Sequence, residues 1–339
     1  MYVKNRCLVT ITTPSGTNIK FDAVASITVD KSIDRVGSSA VIRIPASARL
    51  EYADGTKTES VQTARQFERG DRVNIKLCYG SVDNLKDEFE GFIYRVNFTS
   101  PLEIECEGYE FLLRENLPTK TFASTNLKSL LQYVVNSSAK FEGQGISIAG
   151  DVPEVEMVNY VIPANLNGID ALQQIKEHYG LTVFFRKNIV YAGLDFVKIM
   201  GSVKYSLGVN TPRADELKYQ REEDVRIKVK AVQINRNNTK LEAEVGDSDG
   251  EQRTLYFFTA SSIADLKKMA QTEMVKYKYT GFTGKISTLL EPFAEPGMVA
   301  DIIDIKYNER GGKYEIRGVN TTFDTGGAKR SIDIGKIVS

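Results

Sequence analysis

The sequence predicts a mainly β protein with α+β decoration: two duplicated β units of the sandwich or small-barrel kind, one toward each end of the chain, and an α/β domain between them. Three observations carry this. Period-two alternation of apolar and polar residues fills both ends of the chain. Helical periodicity begins only after Pro118. A pattern written as IYRVNFTSPLEIECEG from position 93 returns as IRGVNTTFDTGGAKRSIDIG from position 316. That offset far exceeds the ~20 to 50 residues of a solenoid or propeller period, so a unit of domain size was used twice.

The first unit, 1–113, reads as short strands: CLVTITT, IKFDAVASITVD, SSAVIRIP, DRVNIKLCYG, EFEGFIYRVNF and LEIECEG alternate between turn residues. Residues 46–65 are polar, carry an Asp54-Gly55 turn signal and are expected as a long loop. In the mixed α/β domain, 114–202, Thr125 or Asn126 can cap a helix with Leu127, Leu130, Leu131, Val134 and Val135 on one face. A second helix follows Asn167, with Ile169, Leu172 and Ile175 aligned and Gly180 placed for a left-handed C-terminal cap. LTVFFRKNIVYAGL then reads as a hairpin across Lys187-Asn188.

The second β unit is expected from 203–238 and 284–339, with 225–234 as its first strand. Between them, 239–283 reads as an insertion packing with the α/β domain. It comprises a hairpin across Asp249-Gly250 and a helix opened by a Ser262-x-x-Asp265 cap. The repeated motif is Gly70-Asp71, then Ile93, Val96 and Asn97, matched by Gly297, then Ile316, Val319 and Asn320. Half-burial makes all hairpins alternate; the shared order of elements and the shared V-N-x-T argue for duplication. The signature departs in one place, where Pro296-Gly297-Met298 stands for Arg69-Gly70-Asp71.

Composition narrows the function. With 42% hydrophobic and 26% charged residues, the 339-residue chain has the make-up of two to four folded domains. Lys plus Arg and Asp plus Glu both number 44, so no overall basic field gathers nucleic acid. The start, MYVKNRCLVTITT, lacks the apolar core of a signal peptide, and no apolar run approaches the ~18 to 20 residues that span a bilayer, so stable membrane insertion is not expected. Cys7, Cys78 and Cys106 are widely spaced in apolar strands and read as buried thiols.

Catalytic and metal motifs are weak. His178 is the only histidine and sits near a helix C-terminus, where it suits the helix dipole. There is no G-x-S-x-G elbow and no zinc-ligand spacing. DSDGE at 247–251 begins like a calcium loop, but Tyr256 stands where the closing acid belongs. Glu110 and Glu115 would serve a glycosidase only if they converged in a cleft. VRIKVK and VKYKYTGFTGK interleave basic and apolar residues as single-strand binders do, yet on strands this pattern describes one wet and one dry face. No catalytic residue, metal ligand or cofactor site is assigned.

The order of segments resembles the central baseplate hub proteins of contractile-tailed phages and prophages, late-control-type tail proteins related to the hub part of type VI secretion spike proteins. The resemblance rests on Gly70–Ile75, on FEGFIYRV at 89–96 with LEIECEGYEFLL after it, on TNLKSLLQYVV, on GIDALQQIKEHYGLTVFFRKNIVYAG, and on EPGMVADI with ERGGKYEIRGVNTTF. It implies two β-barrel tube domains per chain, duplicates of each other, with α/β decoration, and a homotrimer, pseudo-sixfold on one face and threefold on the other. Its partners would be a tail tube protein and a central spike protein. The ring would form part of an injection channel that passes DNA without binding it specifically. No needle segment follows Ser339, so the spike is expected as another chain. The implied location is the virion tail or baseplate, assembled in the host bacterial cytoplasm. The competing readings are a tail-associated cell-wall-degrading enzyme and a receptor- or carbohydrate-binding tail module; the absence of Trp counts against the latter.

Overall fold

The computed structural model describes residues 5–48, 61–137, 145–193, 201–211, 216–235, 239–257, 260 and 262–338. The segment around Asp54-Gly55 lies outside them. The first unit contains β1 (Asn5–Thr12), β2 (Asn18–Phe21), β3 (Ser26–Ser32), β4 (Ser39–Ile44), the two-residue strands β5 (Ser47–Ala48) and β6 (Val61–Gln62), β7 (Arg72–Tyr79), β8 (Lys86–Asn97) and β9 (Leu102–Glu107). The alternation in the sequence becomes alternation of faces: Cys7, Val9 and Ile11 of β1 are buried while their neighbours lie nearer solvent. Strand order is β3-β4-β9-β8-β7-β1-β2, antiparallel throughout.

The α/β domain pairs β10 (Lys120–Asn126) with β12 (Glu156–Ile162). Helix α1 (Leu127–Ser137) is capped by Asn126, whose Oδ1 accepts from the Ser129 N–H at 2.8 Å. Helix α2 (Gly168–Tyr179) starts at Asn167, which accepts from the Asp170 N–H, and ends at Gly180 with φ +59°. β13 (Thr182–Arg186) and β14 (Ile189–Gly193) form the hairpin across Lys187-Asn188, and β11 (Ser147–Ile148) pairs parallel to β14. The aligned leucines and valines of α1 meet Ala171, Leu172 and Ile175 of α2 in one core.

The second unit draws on β15 (Ser202–Ser206) and β16 (Leu217–Gln220) before its insertion. The strand expected to begin its barrel, β17 (Ile227–Ile234), belongs elsewhere. It is the centre of a three-stranded sheet between β18 (Lys240–Gly246) and β19 (Glu251–Phe257). Both of its faces are apolar toward the C-terminal end: Val229 and Ala231 pack with Leu266 of α3 (Ile263–Val275), and Val232 and Ile234 enter the α/β core. A strand needing cover on both faces takes the middle. For the same reason β18 and β19 do not form the expected hairpin with each other; they flank β17, one antiparallel and one parallel.

β20 (Gly281–Thr288), β21 (Val299–Ile303), β22 (Gly312–Asp324) and β23 (Gly327–Ile337) complete the second unit in the order β16-β20-β23-β22-β21-β15. The order parallels β3-β4-β9-β8-β7-β1 of the first unit, except that β15 runs parallel to β21 where β1 opposes β7. β22 joins the two units: Gly312–Glu315 pairs with β21, whereas Gly318–Asp324 pairs with β3. One 13-stranded sheet results. Among the described residues neither unit closes into the expected barrel by strand pairing: in the first the outer edge of β3 is taken by β22 of the other unit, and in the second β16 pairs only with β20.

Candidate assembly surface

The motif residues occupy matching settings in the two units. Gly70 and Gly297 have φ of +98° and +88°, a region that favours glycine. The Gly70 N–H donates to the Ile93 carbonyl at 2.9 Å, and the Gly297 N–H donates to the Ile316 carbonyl at 2.9 Å. In return the Ile93 N–H donates to the Asp71 carbonyl at 2.9 Å, and that of Ile316 to Met298 at 2.8 Å. Both long strands shift register just beyond, between Ile93 and Arg95 and between Ile316 and Gly318. The place where the signature departs is also accounted for. Asp71 Oδ2 accepts from the Glu68 N–H at 2.9 Å, and at the matching place the Met298 sulfur accepts from the Glu295 N–H at 3.3 Å.

Beyond the shift the two strands differ in surroundings. Val319, paired with Lys31 of β3, is buried in the core of the second unit, while Val96 is only half-buried and Asn97 spans Glu103 and Glu105 through its amide at 3.1 and 2.7 Å. Asn320, opposite Asp30 of β3, is half-buried.

A buried polar cluster bolts the units together. Arg330 of β23 donates to Glu88 of β8 at 2.5 Å, each side chain only 1% exposed. Thr321 of β22 donates to the other Glu88 oxygen at 2.6 Å, and Arg330 also donates to the carbonyls of Leu290 and Pro292. The Tyr79 hydroxyl adds a bond to the Ala328 carbonyl at 2.7 Å. Nearby, Glu295 takes Lys31 of the first unit at 3.6 Å and Arg186 of the α/β domain at 2.5 Å. Burial works against the Glu295 charge, but the two cations outweigh it and hold its carboxyl below the usual range. Arg317 reaches Asp34 across the same seam and Glu315 at 3.2 Å. Sequence reasoning singled out none of these residues. The signal was present for Arg330, which falls in phase with the buried Ala328, Ile332 and Ile334 of an alternating strand and so needed a buried partner.

The residues weighed for chemistry have structural surroundings. Cys7, Cys78 and Cys106 are free and buried, and burial pushes the Cys7 thiol up to about 11. His178 is exposed on α2, and partial burial of its ring together with Lys240 lowers its pKa. Glu110 is buried and accepts from the Ser38 and Gly108 N–H groups at 2.9 and 2.8 Å; burial pushes its carboxyl up to about 8. Glu115 lies past the turn, where its carbonyl accepts from the Gly168 N–H. Asp247 receives the Ile227 N–H and Lys278. Lys228 and Lys230 are matched by Glu244 and Glu242 at 2.7 and 2.8 Å, so the basic alternation of β17 is locally neutralised. Among the described residues no group of three His, Cys, Asp or Glu could hold a metal ion, and no helix is long and apolar enough to cross a membrane.

No family model and no curated relative matches the chain. Solved structures do. A tail protein from Neisseria meningitidis aligns with TM-score 0.61 at 13% identity, covering 97% of this chain and 96% of that one. A 43 kDa tail protein of prophage MuSo2 from Shewanella oneidensis aligns with TM-score 0.60 at 11% identity, covering 98% of each chain. An E. coli type VI secretion component, itself described as similar to T4 bacteriophage tail proteins, aligns with TM-score 0.58 at 8% identity, over 98% of this chain and 77% of that one. Over nearly its whole length, therefore, this chain has the fold of phage tail proteins and of a type VI secretion component.

Proposed function

We propose that the chain is the structural hub of a phage-tail-like baseplate: a homotrimeric ring that adapts a sixfold tail tube to a threefold central spike. The observation that carries this reading is the repeated geometry, with matching glycine turns, matching hydrogen-bond pairs and matching register shifts in two units of like strand order. A duplicated unit in each of three chains presents six similar surfaces about a threefold axis. Matched symmetry is what lets every interface patch recur where its partner's does. The tail-protein fold supports the same reading.

In this role Gly70, Asp71, Ile93, Val96 and Asn97, with Gly297, Ile316, Val319 and Asn320, build the duplicated tube motif and catalyse nothing. The partners are a tail tube protein above and a spike protein below, and DNA passes the lumen without specific binding. The place of action is the virion tail or baseplate, after assembly in the host bacterial cytoplasm. Light scattering over a wide concentration range, with negative-stain imaging, tests the reading. An open-centred ring of three chains is expected, alone or with tube and spike proteins; a monomer under every one of those conditions refutes it. Sustained product release from purified peptidoglycan, abolished by changing one carboxylate, would replace it with the enzymatic reading.

A further inference from the structure

The seam inside the chain predicts a seam between chains. Within one copy, the part of β22 beyond its register shift, Gly318–Asp324, pairs with the outer edge of β3. The corresponding part of β8 is Arg95, Val96 and Asn97, with Phe98 following directly after the strand; among the described residues no strand lies on its side away from β9. β3 has its own counterpart in β16. Val29 opposes Ala40, which opposes Cys106, and Leu217 opposes Gly284, which opposes Ile334. Cys106 and Ile334 in turn oppose Ile93 and Ile316 of the motif. β16 pairs only with β20, so among the described residues its other edge carries no strand. Open edges of this kind are surfaces for pairing with another chain.

We propose that residues 95–98, the end of β8 and the residue after it, pair in one copy antiparallel with β16 of a second copy, in the register of the internal β22–β3 seam. Transferring Thr321↔Val29, Asn320↔Asp30 and Val319↔Lys31 places Phe98 opposite Leu217, Asn97 opposite Lys218 and Val96 opposite Tyr219. Side-chain chemistry agrees with the transfer. Phe98 is 77% exposed, whereas Thr321 at the matching position, paired with Val29 of β3 and bonded to Glu88, is 1% exposed. Leu217 supplies the apolar partner that Phe98 lacks within its own chain. Lys218 is exposed and would face Asn97, which is flanked by Glu103 and Glu105. Each copy carries one β8 edge and one β16 edge, so the contact is head to tail, the kind that closes as a ring when the rotation from copy to copy completes a turn, as the hub reading requires. This inference rests on the hub reading and assigns that ring its contacting strands.

Disulfide trapping tests it. Phe98→Cys and Leu217→Cys chains are purified separately, mixed and mildly oxidised beside the unsubstituted protein, whose three cysteines are buried. A covalent pair is expected only in the mixture. A Phe98→Cys plus Gln220→Cys mixture, out of register, should give none. Phe98→Asp should leave a folded chain, since the side chain is exposed, and weaken self-association about tenfold or more. Several results overturn the pairing while leaving the ring reading intact: a ring with no Phe98–Leu217 bond, a ring cross-linked through two Phe98→Cys positions, or undiminished assembly of Phe98→Asp. A chain that stays monomeric even with tube and spike proteins overturns both.

Discussion

The Glu88–Arg330 pair offers the sharpest test of how the two units are held together. Replacing Arg330 by Met keeps much of the volume but leaves Glu88 buried, with Thr321 at 2.6 Å and Lys31 only at 4.0 Å. It also strips a donor from the Leu290 and Pro292 carbonyls. Orphaning one partner of a buried pair costs about 3 to 5 kcal/mol, because the remaining charge stays desolvated. Removing both charges, as in Glu88→Leu with Arg330→Met, deletes the desolvation penalty together with the attraction and should return most of that loss. Urea denaturation followed by far-ultraviolet circular dichroism, on wild type, both single variants and the double, closes the cycle. A single Arg330→Met variant costing less than about 1 kcal/mol, or a double variant no more stable than the worse single, would refute the reasoning.

Glu110 predicts a pH dependence. Its folded pKa, pushed up to about 8, exceeds its ordinary 4.5, so the folded chain binds more protons between these values. Its contribution is complete below about pH 4.5 and falls by up to about 1.4 kcal/mol per pH unit as pH rises toward 8; denaturation midpoints of Glu110→Gln, compared with wild type over that range, should lack this slope. Gly70→Ala meets no atom closer than 3.9 Å but must hold φ +98°, and should cost about 1 to 2 kcal/mol by thermal unfolding. Gly91→Ala should cost more, about 3 kcal/mol, since its Cβ would lie 2.0 Å from the Glu107 carbonyl oxygen. Asn167→Ala removes the cap bond to Asp170 and should lower stability by about 1 kcal/mol, read from the same melts.

What the sequence determined by itself was local. Alternation defined the strands of both ends, the apolar stripe and Asn126 placed α1, Asn167 and Gly180 bounded α2, and the V-N motif pointed to a second copy of one pattern. These signals lie within a few residues of each other, set by side-chain period and by caps. Tertiary structure decided which strands share a sheet. β17 alternates as cleanly as its neighbours yet leaves the second unit, because only the packed chain supplies cover for both its faces. The departure from Gly-Asp became intelligible only when the Met298 sulfur was found accepting the bond that Asp71 accepts in the first unit. Likewise the Glu88–Arg330 pair, 242 residues apart, is visible only once β3 meets β22. Period-two patterning says which face of a strand is buried; it carries no record of the neighbour, since any strand edge presents the same backbone groups to any other.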